Sequence, residues 1–151
     1  MSGSTLSIDS ITHIRQFVNR NPPGFIYQGG HAMPSSNEKV YAMPFAKVYP
    51  LLVNKAVKKG RTAAEVDQVT SWLTGYTPEQ IAAAAASGLA YGDFFRQAPA
   101  LNPARELVTG VVCGVRVEAI EEPLMRDIRR LDKLVDELAK GKPMEKILRK
   151  P

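Results

Sequence analysis

The densest group of chemically reactive side chains in this chain consists of Cys113, Arg116 and Glu118. An arginine close to a cysteine lowers the thiol pKa and favours the thiolate, which is the reactive form. A nucleophilic cysteine also requires a base, usually a histidine. The two histidines, His13 and His31, both lie near the N-terminus. We therefore favour a small buried thiol at Cys113, and we keep the three residues as a candidate ligand-binding or catalytic cluster.

Carboxylates are frequent around residue 120, at Glu118, Glu121, Glu122 and Asp127. Acidic residues at a helix start interact favourably with the helix dipole, and charge pairs such as Asp136 and Lys140 are typical of a solvated helix face. The spacing matches no hard-metal site. The chain also has no zinc-binding spacing, phosphate-binding glycine loop or G-x-S-x-G motif. We therefore assign no metal, no cofactor and no catalytic residue, and the sequence leaves open whether the protein is an enzyme.

Residues 62–88 are predicted to form two helices joined by a short turn. Each helix begins with a capping box, TAAE at residues 62–65 and TPEQ at residues 77–80, and the helices end at Gly75 and Gly88. Such a pair is typical of DNA-binding proteins, but a recognition helix must present polar or basic side chains to base edges. The second helix contains five alanines and no lysine or arginine. We therefore favour a structural helical hairpin.

The elements that must position any site are mostly helices, and the clearest spans residues 122–141. Its apolar residues recur every three or four positions and form a single stripe, consisting of Leu124, Ile128, Leu131, Val135 and Leu138. Pro123 suits the first helical turn, and Gly141 suits the residue after the helix. An apolar stripe needs a partner surface, so we expect a packed globular domain.

Further helices are predicted in four places, namely residues 46–59, around Phe94 and Phe95, from Pro103, and from Pro143. Pro50 is acceptable in the first of these only if it lies in the first turn. The aromatic residues of the chain's middle are most simply core or hairpin anchors, namely Trp72, Tyr76, Tyr91, Phe94 and Phe95. An amphipathic helix is also possible near the N-terminus, around residues 8–18.

Residues 111–120 have an ambiguous pattern. Every second residue from Val111 to Val117 is apolar, as in a strand, whereas apolar residues three and four apart also fit one side of a helix. A strand needs a neighbour to satisfy its backbone groups, and the rest of the chain offers only weak candidates. We therefore favour a helix here, with a small strand pairing at residues 111–119 as the alternative.

Composition limits the class of protein. The chain has 151 residues, enough for one domain with a real core, and its apolar and charged fractions of 44% and 23% are ordinary for globular proteins. No apolar run is long enough for a membrane helix, and the N-terminus lacks a secretory signal. A single cysteine excludes an internal disulfide. We therefore expect a cytoplasmic protein without membrane contacts.

The net charge of +5 is unevenly distributed. Residues 142–151 contain four basic residues and one acidic residue, whereas residues 37–141 contain 14 basic and 13 acidic residues. A dedicated nucleic-acid-binding protein presents a clustered basic face. The nearly neutral body therefore argues against nucleic acid as the main partner, and it leaves the basic C-terminal tail as a weaker alternative.

Three sequence blocks, WLTGY, GVVCGVRVE and LDKLVDELAKGK, carry a resemblance to a known family. Together with the surrounding residues from about 39 to 150, the chain closely resembles the bacterial domain of unknown function family numbered 2200. The resemblance implies a small prokaryotic, cytoplasmic domain. The family has no established activity, so the resemblance assigns no functional residues.

The sequence thus predicts a mainly α fold, a compact multi-helix domain at residues 39–151 preceded by a partly irregular N-terminal extension or linker at residues 1–38. The chain is rich in packing signals and poor in catalytic ones. Our first functional hypothesis is therefore a protein-interaction module, either a homo-oligomer or a subunit that binds another protein. The alternatives are a small-molecule binder or enzyme using the region around Cys113, Arg116 and Glu118, and weak nucleic-acid binding through the tail.

Overall fold

The computed structural model describes residues 35–151, and the predicted N-terminal helix and both histidines lie outside this part. The described chain is mainly helical, which confirms the predicted fold class. Its α-helices are α1 (Ser36–Ala42), α2 (Phe45–Val57), α3 (Ala63–Thr74), α4 (Pro78–Ala85), α5 (Tyr91–Arg96), α6 (Pro123–Ala139) and α7 (Met144–Ile147). Two strands, β1 (Val111–Val112) and β2 (Val115–Arg116), and two 3-10 turns, Pro103–Leu107 and Val117–Ala119, complete it. The proposed division between residues 1–38 and 39–151 stays a prediction.

Helix α6 is the centre of the fold, and its predicted apolar stripe is confirmed. Ile128, Leu131, Val135 and Leu138 are buried in the core, and Leu124 packs partly buried against it. The helix packs against α2, α3, α5 and α7, and also against β1. Burial of each large aliphatic side chain contributes about 1.5–3 kcal/mol. The stripe therefore organises most of the surrounding chain.

The two predicted capping boxes are confirmed. In both, the threonine side chain accepts a hydrogen bond from the backbone of the third helical residue, whose own side chain accepts one from the threonine backbone. A third capping box, Ser35 with Glu38, starts α1 and was not predicted. Gly75 ends α3 in the left-handed conformation. The second helix of the hairpin, α4, is shorter than predicted and ends at Ala85.

Pro50 lies in the second turn of α2, beyond the first-turn position that the sequence analysis required. A proline there cannot donate a hydrogen bond to the carbonyl of Ala46. The helix nevertheless continues to Val57, because Phe45, Val48 and Leu52 on its inner face are buried in the core. Tertiary packing outweighs the loss of one hydrogen bond near the helix start.

The helix favoured for residues 111–120 is wrong, and the alternative strand pairing is confirmed. β1 and β2 form an antiparallel hairpin in which Val111 pairs with Arg116 and Val112 with Val115. The two turn residues, Cys113 and Gly114, have φ angles of 52° and 78°. Positive φ at both positions is the requirement of a type I′ hairpin turn. The pairing partner that β1 needs is thus β2, which follows it directly within the same segment.

The predicted aromatic anchors lie in the core or against it. Phe94 is the centre of a stack, with ring centroids 4.1 Å from Phe45 and 4.4 Å from Tyr76. Tyr91 and Phe95 are buried beside it, with their ring centroids 5.3 Å apart. This aromatic cluster packs α5 against α2 and Tyr76, and it places Tyr91 beside the site described next.

Candidate functional site

A small cavity lies where α2, α5 and α6 meet the turn of the β-hairpin. Its apolar walls are Val48, Leu51 and Leu52 of α2 and Ile128 of α6. The volume open to water-sized molecules is about 10 Å³, which is the space of about one water molecule. The cavity can therefore hold a small chemical group or the end of a longer ligand.

Four polar side chains complete the cavity lining, namely Tyr91, Cys113, Arg129 and Asp132. Tyr91 and Arg129 are almost fully buried, whereas Cys113 and Asp132 are partly exposed, as is Leu51. The partly exposed residues mark the mouth, and the buried ones form the inner wall. A mainly apolar pocket with a few convergent polar groups is the usual form of a ligand site.

Arg129 is a buried cation at this cavity. Its side chain is 1% exposed, and its Nη1 donates a hydrogen bond of 2.8 Å to Oδ2 of Asp132, one helical turn later. Its Nε and Nη2 have no hydrogen-bond partner among the described residues. A buried donor without a partner costs about 1–3 kcal/mol, and more when it is charged. Arg129, a residue of the cavity lining, therefore has two donor nitrogens that no described residue satisfies.

Asp132 faces a mixed electrostatic environment. Burial raises the pKa of the Asp132 carboxyl, and the nearby negative charge of Asp136 acts in the same direction. The positive charges of Arg129 and Lys55 oppose this but do not cancel it. Asp132 therefore holds its proton to a higher pH than a solvated aspartate does.

Tyr91 is the second side chain at the cavity with an unpaired polar group. Its hydroxyl is buried and has no hydrogen-bond partner among the described residues. Burial raises the pKa of this hydroxyl well above its ordinary value, and the charge of Asp132 raises it further. Tyr91 therefore stays protonated at neutral pH, and its hydroxyl can donate or accept a hydrogen bond.

Cys113 lies at the mouth of the cavity in a strained backbone conformation. A φ of 52° is unusual for a residue other than glycine, asparagine or aspartate. Burial raises the pKa of the Cys113 thiol, with Asp132 adding to the rise and Lys55 and Arg129 opposing it. At neutral pH the residue is therefore a thiol, which is the opposite of what an activated nucleophile requires.

The structure does not bring Arg116 and Glu118 to the cavity. Their side chains are 59% and 43% exposed, and Nη1 of Arg116 lies 3.2 Å from Oε2 of Glu118. Glu118 also accepts a hydrogen bond from the backbone N–H of Gly110, and this bond is the main reason why its pKa is lowered. Both residues therefore brace the hairpin on the surface, and neither contributes to the shift of the Cys113 pKa.

The acidic run predicted around residue 120 is distributed over separate contacts. Asp127 is buried and accepts hydrogen bonds from Arg105 and Arg130, at 3.0 and 2.7 Å. Glu122 accepts a hydrogen bond from the side-chain amide of Asn37. Within residues 35–151, no three potential metal ligands lie close enough together to hold an ion.

Arg129 and Asp132 were not predicted from the sequence as site residues. A signal for them exists, because Met125, Arg129, Asp132 and Asp136 form a row with helical spacing that directly adjoins the apolar stripe of α6. An arginine in such a row lies at the edge of the core, where it can be buried. Tyr91 was predicted only as a core or hairpin anchor, and nothing in the sequence indicates that its hydroxyl is unpaired.

Comparison with known proteins matches residues 39–149 to a family described as uncharacterized proteins conserved in bacteria. The chain belongs to this family, DUF2200. The resemblance inferred from the sequence is therefore confirmed. The crystal structure of uncharacterized protein SP1917 is 52% identical, with a TM-score of 0.71, and the match covers 78% of this chain and 94% of that one. A search of curated proteins gave no match.

The described part of this DUF2200 protein lacks any helix that is long and apolar enough to span a bilayer. Its second predicted hairpin helix, α4, packs against α2 and α3 through Ile81 and Ala84. This contact agrees with the structural hairpin favoured from the sequence. Among the described residues, the cavity between α2, α5, α6 and the β-hairpin is the strongest candidate for a functional site in this DUF2200 chain.

Proposed function

We propose that this DUF2200 protein binds a small ligand in the cavity between α2, α5, α6 and the β-hairpin turn. The observation that carries the proposal is Arg129, a buried cation at the cavity wall with two donors that no described residue satisfies. Buried polar groups in proteins are almost always hydrogen-bonded. A ligand with hydrogen-bond acceptors would satisfy these donors.

Two further features of the same cavity support a binding role. The buried Tyr91 hydroxyl also lacks a partner among residues 35–151, and Cys113 at the mouth has a positive φ. Perturbed ionisable groups and strained backbone both concentrate at functional sites. The proposal retains Cys113 from the cluster predicted by sequence, and it replaces Arg116 and Glu118 with Arg129 and Asp132.

A binding role agrees better with these groups than thiol catalysis does. The raised pKa of Cys113 leaves little thiolate at neutral pH. The described residues contain no histidine that could act as its base. We therefore propose a binding protein, and we assign no catalytic residue.

The test is a titration of the full chain with millimolar formate, acetate, formamide, acetamide and methanol, followed by NMR. We expect at least one probe to shift the backbone amide signal of Cys113 and the Nε–H signal of Arg129 saturably. Leu51→Trp places a larger side chain at the mouth and should weaken this binding. Val57→Trp is the matched control on α2, because Val57 is 48% exposed and does not line the cavity. If no probe shifts these signals, or if Leu51→Trp binds as the wild type does, the proposal is wrong.

The interaction or homo-oligomeric module predicted from the sequence remains a second proposal. Among residues 35–151, three large apolar side chains are about half exposed, Val57, Leu107 and Val111, at 48%, 45% and 47%. Exposed apolar surface promotes association when it is contiguous, so this proposal requires these residues to contribute to one patch. Light scattering of the full chain at high concentration tests this proposal, and a monomer throughout the concentration range would count against it.

A further inference from the structure

We propose that the ligand of this cavity is a short aliphatic carboxylate whose two oxygens accept hydrogen bonds from Nε and Nη2 of Arg129. This inference rests on the binding function proposed above and names the chemical class that the site selects. It is carried by the geometry of the unpaired donors, by the charges around the cavity and by its apolar walls.

The first support is the position of the unpaired donors within the Arg129 guanidinium. Its Nη1 is bonded to Asp132 at 2.8 Å, whereas Nε and Nη2 have no partner among the described residues. In a planar guanidinium, Nε and Nη2 form one edge, from which two N–H bonds point in parallel. This edge matches the two oxygens of a carboxylate, and such bidentate pairs are the strong form of the interaction. A neutral amide has one oxygen and cannot accept from both donors equally.

The second support is the balance of charge at the cavity. Lys55 lies beside the site and pairs with Asp136 at 3.2 Å, while Arg129 pairs with Asp132. Burial raises the pKa of Asp132, which favours its neutral form. The pair with Asp132 uses only Nη1 of Arg129, so the edge formed by Nε and Nη2 has no negative partner among the described residues. An incoming carboxylate supplies this partner.

The third support is the remaining wall of the cavity. The Tyr91 hydroxyl is a further buried group without a partner, and it can donate to a carboxylate oxygen. The other lining is the aliphatic side chains of Val48, Leu52 and Ile128, with Leu51 at the mouth. The interior has room for about one water molecule, so only the oxygen end of the ligand enters it, and the short aliphatic chain contacts Leu51 at the mouth.

The test compares acetate with acetamide, which has nearly the same shape but no charge, on the wild-type full chain. We expect acetate to bind about tenfold more tightly, because charge-assisted hydrogen bonds are roughly twice as strong as neutral ones. Acetate should also shift the Nε–H signal of Arg129 more than acetamide does. Hexanoate should bind at least as tightly as acetate, because its longer chain extends out of the cavity through the mouth. A free carboxylate probe that binds no better than its amide overturns the inference.

Two matched variants separate the edge of the guanidinium from its charge. Arg129→Lys keeps the charge and removes the paired donors, so acetate affinity should fall about tenfold. Arg130→Lys changes a neighbouring buried arginine that does not line the cavity, and acetate affinity should stay unchanged. If Arg129→Lys does not fold by circular dichroism, the wild-type comparison of acetate and acetamide decides.

The outcomes distinguish this inference from the proposed function. If acetamide, formamide or methanol binds the cavity as well as the carboxylates do, the carboxylate inference is wrong and the binding function stands. If Arg129→Lys folds and binds acetate as the wild type does, the bidentate contact is wrong. If no probe shifts the cavity signals, both the inference and the proposed function fail.

Discussion

At the scale of single residues, the reactivity of Cys113 depends on its surroundings. Burial raises the pKa of its thiol above the ordinary value of 9.0, so the thiolate that reacts with alkylating agents is scarce at neutral pH. We expect iodoacetamide to label the folded protein at pH 7.5 at least about tenfold more slowly than the urea-unfolded protein. The labelling rate of the folded protein should rise as the pH increases through 9. Mass spectrometry of timed samples measures both rates, and fast labelling of the folded protein at neutral pH would show an activated thiol instead.

Asp132 gives the stability of the protein a pH dependence with a defined sign. Burial raises its pKa in the folded protein above the ordinary value of 3.8. Between the two values the folded state binds more protons than the unfolded chain, so the free energy of unfolding falls as the pH rises through this range. We expect the wild type to lose stability relative to Asp132→Asn as the pH rises above about 4, as measured by urea unfolding. A wild type that gains stability relative to the variant would show that Arg129 lowers the pKa of Asp132 instead.

The candidate site was only partly predictable from the sequence. Cys113 was identified because it is the single cysteine of the chain and a thiol is a well-known nucleophile. Arg129 was not identified, because an arginine beside an apolar stripe is usually exposed, and its burial here depends on how the β-hairpin covers α6. Arg116 was chosen for its proximity in sequence, but a hairpin turn directs it away from Cys113. Contacts between segments far apart in sequence decide such a site, and no local pattern encodes them.

At the scale of elements, the packing of α5 on α1 depends on Gly92. A Cβ atom added to Gly92 would lie 2.7 Å from Cβ of Tyr41 and 3.1 Å from its Cα. Helix propensity alone favours alanine by about 1 kcal/mol, but this contact forces the two helices apart. We expect Gly92→Ala to reduce the free energy of unfolding by about 1–3 kcal/mol.

Gly88 is the matched control for Gly92. A Cβ atom there meets nothing within 4 Å, and its φ is not positive. We therefore expect Gly88→Ala to be neutral or to stabilise the protein by about 0.4–1 kcal/mol, through the entropy of the unfolded chain. Urea unfolding of both variants measures the difference. Equal effects of the two substitutions would show that α1 and α5 are not closely packed at Gly92.

The helices could be predicted because their signals are local. The capping boxes at residues 62–65 and 77–80 and the stripe of α6 each lie within one element. The hairpin at residues 111–116 was predicted only as the alternative to a helix, because its apolar spacing fits both periods and because a Cys-Gly turn is not one of the usual type I′ sequences. The position of Pro50 also differed from the prediction, because the packing of α2 against the core outweighs the preference of proline for the first helical turn.

At the scale of the whole molecule, the charged residues of α6 hold distant segments to its surface. Asp127 binds Arg105 of the preceding 3-10 turn, and Glu137 accepts hydrogen bonds from both terminal nitrogens of Arg149. Asp136 forms the predicted pair with Lys140, but it also binds Lys55 of α2. From the sequence, such charges were predicted to form a solvated face. They are partly buried because the segment before α6 and the tail after it cover that face, which a helical pattern alone cannot reveal.

The same contacts change the interpretation of the basic tail. Arg149 and Lys142 both face Glu137, so two of the four basic residues in the tail already have an acidic partner within the fold. Lys146 and Lys150 remain for any nucleic acid to contact. We expect little binding to a DNA duplex at about 0.15 M salt, because a few phosphate contacts give weak, strongly salt-dependent affinity. A filter-binding or anisotropy assay measures it, and tight binding that is lost in Lys146→Ala/Lys150→Ala would restore the nucleic-acid hypothesis.

The tail also contributes to the core, so its role cannot be tested by deleting it. Ile147 of α7 is fully buried in the hydrophobic core, so deletion of residues 142–151 would remove structure as well as charge. We expect Ile147→Ala to reduce the free energy of unfolding by about 2–5 kcal/mol, from lost burial and the cavity left behind. Lys150→Ala, an exposed change three residues later, should alter it by less than about 0.5 kcal/mol. If Ile147→Ala unfolds like the wild type, the tail is not docked on α6, and its positive charges are then free to act as the sequence first suggested.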